Sequence, residues 1–517
     1  MHGPVASLSE KARRTGASMD GLEFTRYSLH VAGPALAFWR QVYLQLPTRD
    51  QRQARRPAAR GSRPRILSHA NHKPAAPAAR SSMQDALLLE SAPRSRNVLL
   101  VYGQTSFVAL AFGLWQGQLL SQYLYALTPD TRTIGVAMGA QGIVRVFAAV
   151  AAGLVVDRCA RRNALLVICA AYGLAWHVWI AALIIAPALV LPQGWRDGWQ
   201  ADAVWAASLA GYGSFDALQQ VLTDAVFADS VETGARAGPY TRRQLIRQFA
   251  GLVSPLLQLG YFALAPNANH WTEAALRPAM LAGIGAGAIS CLLIATLDQS
   301  RTLGQASEAA HVNAAPPLAN ADEAEGRPPV ETAASASRVR WLILLYDLLR
   351  VSSGGLVIKF VGLFFSNTFG VSPVGLALLQ LGCTLSALSL TMFVGRLAQR
   401  GLRRGAICLT LLAICDAANI IVATVPSLAV DITAWVVREG SLNAVFGLKK
   451  SLIMDHTPKS KRGVWNAVDS LQSSVWAGTA AAGGYLIHAH GYRAALAVMS
   501  GGFVCATLAF APLAKKK

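Results

Sequence analysis

The sequence predicts an all-α protein embedded in a lipid bilayer, with 12 transmembrane helices in two six-helix halves. Composition, the recurrence of long apolar stretches and the placement of charge lead to that reading. Of 517 residues, 53% are hydrophobic and 14% charged, against about 25% charged in an ordinary soluble chain. A soluble domain cannot hide so much apolar surface, so lipid must be part of the solvent. The formal charge of +20 does not point to nucleic acid, because the Lys and Arg lie in tails and short connectors.

The apolar stretches are each long enough to cross a ~30 Å hydrocarbon core. Spans 1 to 6 are read at Asn97–Ala126, Thr133–Val156, Asn163–Pro187, Asp202–Phe227, Arg242–Ala265 and Leu276–Leu297. Spans 7 to 12 are read at Arg340–Ser366, Pro373–Leu397, Arg404–Val425, Leu428–Ile453, Val464–Ile487 and Arg493–Leu513. The chain thus divides into a basic N-terminal extension (1–96), a first six-helix bundle (97–297), a linker (298–339), a second bundle (340–513) and a basic tail (514–517). The linker is rich in Ala, Pro, Glu and Ser and reads as flexible.

The extension holds 16 Lys+Arg against 6 Asp+Glu, half of the net charge. Its stretch from Gln51 to Arg65 is too basic and Pro-rich to bury anything and reads as disordered. Its Arg-rich, acid-poor character also suits a transit peptide, and Met83 offers a later start. The seven cysteines form no CxxC, and most lie in apolar runs where Cys packs as a small hydrophobe. Cys408 and Cys415 share a helical face, a spacing that suits packing. No disulfide framework, no metal site and no cofactor is expected.

Connector charge gives orientation. The connectors on the termini side, with the short C-terminal tail, carry 18 Lys and Arg, among them Arg242, Arg243, Lys449 and Lys450. The opposite side carries four: Arg132, Arg196, Arg277 and Arg493. Short loops rich in Lys and Arg stay cytoplasmic, so both termini are expected in the cytoplasm of a multi-pass integral membrane protein.

Two connectors repeat. After span 2 the chain reads Gly153, Asp157, Arg158, Arg161, Arg162; after span 8 it reads Gly395, Gln399, Arg400, Arg403, Arg404 at the same offsets. A second pair, Asp229 to Arg236 and Asp455 to Arg462, follows spans 4 and 10. Matched motifs at matched connectors indicate homologous halves related by an axis along the membrane normal. Here the chain resembles the major facilitator superfamily, whose signature between helices 2 and 3 has the Gly-x-x-x-Asp-Arg-x-x-Arg-Arg pattern. The resemblance covers about residues 97–513, and the second copy departs from it at Gln399. It implies two pseudo-symmetric bundles that rock around a central cavity lined by spans 1, 4, 7 and 10. Gly153 would permit close helix approach. Asp157 would meet a helix N-terminus across the halves, and the arginines would grip carboxylates and headgroups. Gly251-x-x-Ser254-Pro255 in span 5 falls short of the family's antiporter signature.

Ionisable groups inside a span are costly and tend to mark a cavity or a partner. Span 7 holds the richest set: Tyr346, Asp347, Arg350, Ser352, Ser353 and Lys359. Asp347 and Arg350 are spaced to pair with each other. On a straight helix Lys359 points about 180° away from Arg350, and the Gly354-Gly355 pair is where the helix would bend. Span 10 adds Arg438, Glu439 and Asn443; span 4 adds Asp216; span 2 adds Arg145. Span 1 lines up Gln104, Trp115, Gln118 and Gln122 on one face. Asp224, Arg247, Asp416 and Asp469 read as lying nearer helix ends.

The expected function is secondary active transport of a small solute by alternating access, with protons as the favoured coupling ion, by a monomer. A non-transporting receptor or scaffold on the same fold is the alternative. An enzyme is disfavoured, because His177 is isolated, and the lack of a P-loop argues against ATP-driven transport on this chain. The solute itself stays open among an organic anion, a zwitterion and a sugar.

Overall fold

The architecture was analysed in a computed structural model of the chain, which describes residues 96–158, 162–186, 199–231, 237–265, 267–302, 333–455, 476 and 478–515. The basic extension, Cys159, Asp469 and most of the linker lie outside the described residues. What is described is almost wholly helical, with no strand among the described residues.

Span 1 is built from Arg96–Ala111, a π-helical turn at Phe112–Gln116 and Gln118–Leu127. Spans 2 to 6 are Thr131–Arg158, Arg162–Ile185, Trp199–Asp229, Ala237–Leu264 and Glu273–Ala295. Span 7 starts at Ala333, earlier than the sequence suggested, and runs to Gly355. A 3₁₀ turn at Ile358–Phe360 and a short helix at Val361–Phe369 complete it. Spans 8, 9 and 10 are Pro373–Gln399, Arg404–Thr424 and Leu428–Asp455. Spans 11 and 12 share the continuous stretch Ala480–Phe510, which Gly491 breaks with φ 82° and ψ 171°. That positive φ is a conformation glycine adopts without a steric penalty, and it lets the chain turn back on itself.

Eight described helices are individually long and apolar enough to cross a bilayer. The long helices that fall short are those of spans 4, 5 and 10. These carry Asp216 and Asp224, Arg243 and Arg247, and Arg438, Glu439 and Lys449. Their polarity is the cost of facing something other than lipid.

Within the first half, span 2 packs on span 4, spans 1 and 3 on span 6, and span 5 on span 1. Within the second, span 10 packs on spans 8 and 9, while the 480–510 stretch packs on spans 7 and 9. Between the halves, span 2 meets the 480–510 stretch and span 5 meets span 8. Advancing each span by six maps one of these seams onto the other, the symmetry expected of two homologous halves.

Hydrophobic burial cannot drive helices together in lipid, so close packing and internal hydrogen bonds must. The seam between spans 2 and 11 shows this. A Cβ on Gly135 would lie 2.8 Å from the Ala480 carbonyl oxygen, and one on Gly139 would lie 2.8 Å from the Ala481 Cβ. By contrast, a Cβ on Gly153 or Gly395 would meet nothing within 4 Å. The close approach expected at Gly153 is therefore found nearer the opposite end of span 2, where the halves touch.

The π turn in span 1 leaves carbonyls without their usual helical partners. Span 5 supplies donors: Ser254 Oγ donates to the Leu110 carbonyl at 3.3 Å, and Gln258 Nε2 to the Gly113 carbonyl at 2.9 Å. Pro255, which has no N–H to give, sits between them.

Candidate functional site

The first-half wall begins with an ion pair between spans 2 and 4. Arg145 lies 3.0 Å from the Asp216 carboxylate and donates to Gln220 Oε1 at 2.8 Å. Gln219 Nε2 donates to Asp216 at 2.9 Å. These groups share a face because they recur at helical spacing along span 4. About two turns beyond Asp216, towards the termini, Arg243 of span 5 pairs with Asp224 and donates to Thr105 Oγ1 at 3.0 Å.

Arg247 was read as a helix-end residue, and the structure corrects that. It is eleventh in a 28-residue helix, so it lies about 15 Å in at 1.5 Å per residue. It shares a face with Arg243, Gly251, Ser254 and Gln258, while Leu245, Phe249, Val253, Leu256 and Leu257 cover the lipid-facing side. Its side chain is exposed on the polar face, where a Cβ on Gly251 would also meet nothing within 4 Å. Arg247 therefore faces open, polar space at mid-depth and has no ion-pair partner among the described residues.

Lys359 occupies the break in span 7. The helix stops at Gly355, as the glycine pair predicted, and a Cβ there would collide with the Trp476 carbonyl and Thr479 Oγ1. The break turns Lys359 towards span 1. Its Nζ donates to the Gln116 carbonyl at 3.4 Å and lies 4.9 Å from the centre of the Trp476 ring and 5.7 Å from that of Phe112. The lysine is only 8% exposed and has no carboxylate partner among the described residues.

The π turn also changes the expected span 1 face. It shifts the register, so Gln116 rather than Gln118 reaches into the first half, donating to the Tyr212 hydroxyl at 2.7 Å. Gln118 and Gln122 turn to span 7, where Gln122 donates to Ser366 Oγ at 2.9 Å. The Oε1 of Gln118 is buried without a partner.

The second half holds its charges differently. Asp347 pairs with Lys449 of span 10, not with Arg350, and both are buried. Arg350 donates to the Tyr346 hydroxyl and stacks 5.1 Å from the Phe503 ring centre. Arg438 is 1% exposed, pairs with Glu439, donates to Asn419 Oδ1 at 3.2 Å, and lies over Trp435 and Phe503. Cations and rings alternate through the bundle interior: Lys449, Tyr346, Arg350, Phe503, Arg438, Trp435. Such contacts offset part of the cost of dehydrating a cation. Glu439 and Asn443 lie on the adjoining, more open face of span 10, where Asn443 Nδ2 donates to the Glu439 carbonyl at 2.8 Å.

Asp416 also departs from its reading as an end residue: it lies mid-way along the 21-residue span 9 and is buried. Lys449, counted with the connectors, sits inside span 10, and Arg243 inside span 5. Sequence reasoning missed the Lys449, Asn419 and Phe503 roles because their partners lie on other spans.

Of the repeated motif, Asp157, Arg158 and Arg162 fall on described helix backbone but their side chains, like that of Asp455, lie outside the described residues, as do Arg161, Arg236 and Arg462 altogether. Arg400 and Arg403 border the turn between spans 8 and 9, Arg404 opens span 9, and Asp229 closes span 4.

At the end away from the termini the halves are joined. Ser121 Oγ donates to the Lys359 carbonyl at 2.6 Å, Thr131 Oγ1 to the Gly484 carbonyl at 3.1 Å and Trp271 Nε1 to the Val371 carbonyl at 2.8 Å. In the same region Asp130 bridges Arg132, at 2.9 Å, and His488 of the other half, at 3.3 Å. The Arg132 hydrogen bonds hold the Asp130 carboxyl below the usual carboxylate range.

The sequence profile of the Major Facilitator Superfamily matches residues 98–478. The chain belongs to that superfamily. No curated protein matches its sequence. Among solved structures, a bacterial homologue of the human lysosomal transporter Spinster, inward-facing and occupied, is similar at a TM-score of 0.58 and 13% identity, covering 83% of this chain and 98% of that one. The nucleoside transporter NupG gives 0.54 at 13% identity, over 82% of this chain and 100% of that one. The xylose transporter XylE from E. coli gives 0.55 at 11% identity, over 80% and 97%. At these identities the likeness shows the fold. Lys359 reaches across to span 1 of the other half, while the Arg145–Asp216 and Asp347–Lys449 pairs each lie within one half.

Proposed function

We propose that this protein is a secondary transporter that carries a small solute by alternating access, coupled to protons, with both termini in the cytoplasm. The observation that carries the proposal is the way the two halves meet. Cross-half hydrogen bonds join the end away from the termini. A charged wall stands at mid-depth. This is the arrangement of an inward-facing state, in which the charges serve a polar route and are not exposed to hydrocarbon. The uneven placement of Lys and Arg on the connectors supports the orientation.

Asp216 is the best-placed proton carrier. It lies on the wall, 14% exposed, and its partner Arg145 can be released when the carboxylate is protonated. The test is uptake of a solute panel into proteoliposomes with and without an imposed pH gradient. Uptake that follows the gradient in wild type and loses that dependence in Asp216→Asn is the expected result. If a monodisperse wild-type protein moves nothing, the transport reading fails and a receptor or scaffold role takes its place.

A further inference from the structure

The charges at the boundary do not balance. Arg145 is matched by Asp216, and Arg243 by Asp224. Arg247 and Lys359 are left over: neither has a carboxylate partner among the described residues, and they approach span 1 from opposite halves. Both border span 1: Arg247 stands on span 5 between side chains bonded to Thr105 and to the Leu110 carbonyl, and Lys359 lies against Phe112 and the Gln116 carbonyl. An unmatched charge held away from bulk water, as that of Lys359 is, is unfavourable unless something compensates it. Lys359 is 8% exposed and has one long contact, at 3.4 Å, with a carbonyl. Arg247 projects from the open polar face of span 5, between side chains above and below it that are already tied to span 1 or span 4.

We infer that Arg247 and Lys359 form an anion-binding subsite between the halves, and that the transported solute is a small organic anion whose carboxylate or equivalent group they hold. The inference rests on the transport reading above and narrows it. The guanidinium offers a planar fork suited to a carboxylate, and the ammonium a point charge on the opposite side. One ligand group touching both halves would also link binding to their relative movement, because Lys359 sits on the broken part of span 7. The ring of Trp476, 4.9 Å from Lys359 Nζ, gives an apolar side to the same space.

The test uses the full chain in proteoliposomes with labelled lactate, succinate, xylose and choline. Wild type is expected to accumulate one or both carboxylates and neither xylose nor choline. Arg247→Gln and Lys359→Gln should each lower that uptake by about tenfold to a hundredfold, the loss of one hydrogen bond to a charged group. Arg247→Lys and Lys359→Arg should recover part of it, and Arg338→Gln, at the exposed start of span 7, should leave it unchanged. Uptake of xylose or choline alone overturns the inference while transport stands. So does carboxylate uptake that both Gln variants leave within about twofold. If nothing is taken up, thermal stabilisation of the detergent-solubilised chain by succinate, compared with sodium chloride at equal ionic strength, decides the matter. Stabilisation lost in Arg247→Gln keeps the subsite and sinks transport; no stabilisation in wild type sinks the subsite.

Discussion

Asp347 and Lys449 show how little a single buried charge reveals about its partner. The sequence made Asp347 conspicuous, but its nearest ionisable neighbour on the helix, Arg350, is not its ion-pair partner. Lys449, 102 positions away, is. No helical period links positions on different spans, so the pair was illegible until the bundle was assembled. Removing one member of a buried pair strands the other, at a cost of about 3–5 kcal/mol, whereas removing both is far milder. Asp347→Asn and Lys449→Met should therefore each destabilise the protein by about that amount, and the double variant by less than their sum. Thermal unfolding in detergent across the four proteins measures the coupling. Strictly additive losses would show that the two side chains do not interact. Arg247 was misplaced for a different reason. Span 5 was started at Arg242 instead of Ala237, and a few residues of error turned a mid-depth arginine into an apparent snorkelling one.

At the level of elements, local chemistry was easier to read. Gly354-Gly355 marked the break in span 7 because tandem glycines cost a helix its stability. The π turn at Phe112–Gln116 carried no comparable signal, since its sequence, FGLWQ, is ordinary helical material for a membrane. It shifts the helical register between Gln104 and Gln118, which a face drawn on a straight helix does not include. Span 11 packs against the broken part of span 7 so tightly that a Cβ on Gly483 would strike the Leu356 carbonyl. Gly483→Ala is thus expected to push span 11 away and open the joined end, seen as faster labelling of a cysteine at Ser366 by an impermeant reagent. The Asp130 bridge works on the same seam. Its carboxyl, held low by Arg132, contributes above the unfolded value of about 3.9 and loses that contribution as pH falls through the lower folded value. In a His488→Gln background, which leaves the Arg132 pairing in place, Asp130→Asn should therefore lower the unfolding temperature by the same amount at pH 7 and at pH 5. A difference that vanishes at pH 5 would mean the carboxyl is already protonated there.

For the whole molecule, six spans plus six around a polar linker and the repeated connector motifs gave the architecture before any coordinates, because hydrophobic length and symmetry are properties of the chain itself. Which end of the bundle is closed is a property of an equilibrium, and no residue pattern encodes it. The structure shows the seam of spans 2 and 11 shut from Thr131 to Gly139. If the halves rock, that seam must part once per cycle, and a covalent tie across it must stop transport. Gly139 and Ala481 are the positions for the tie, since their Cβ atoms would fall within disulfide range after a small shift. In a background without the native cysteines, Gly139→Cys with Ala481→Cys should cross-link under oxidant, abolish uptake, and regain it on reduction. Either single substitution should respond to neither treatment. Full uptake by the cross-linked protein would mean that this seam stays shut throughout the cycle, and the pseudo-symmetric seam of spans 5 and 8 would then have to supply the whole movement.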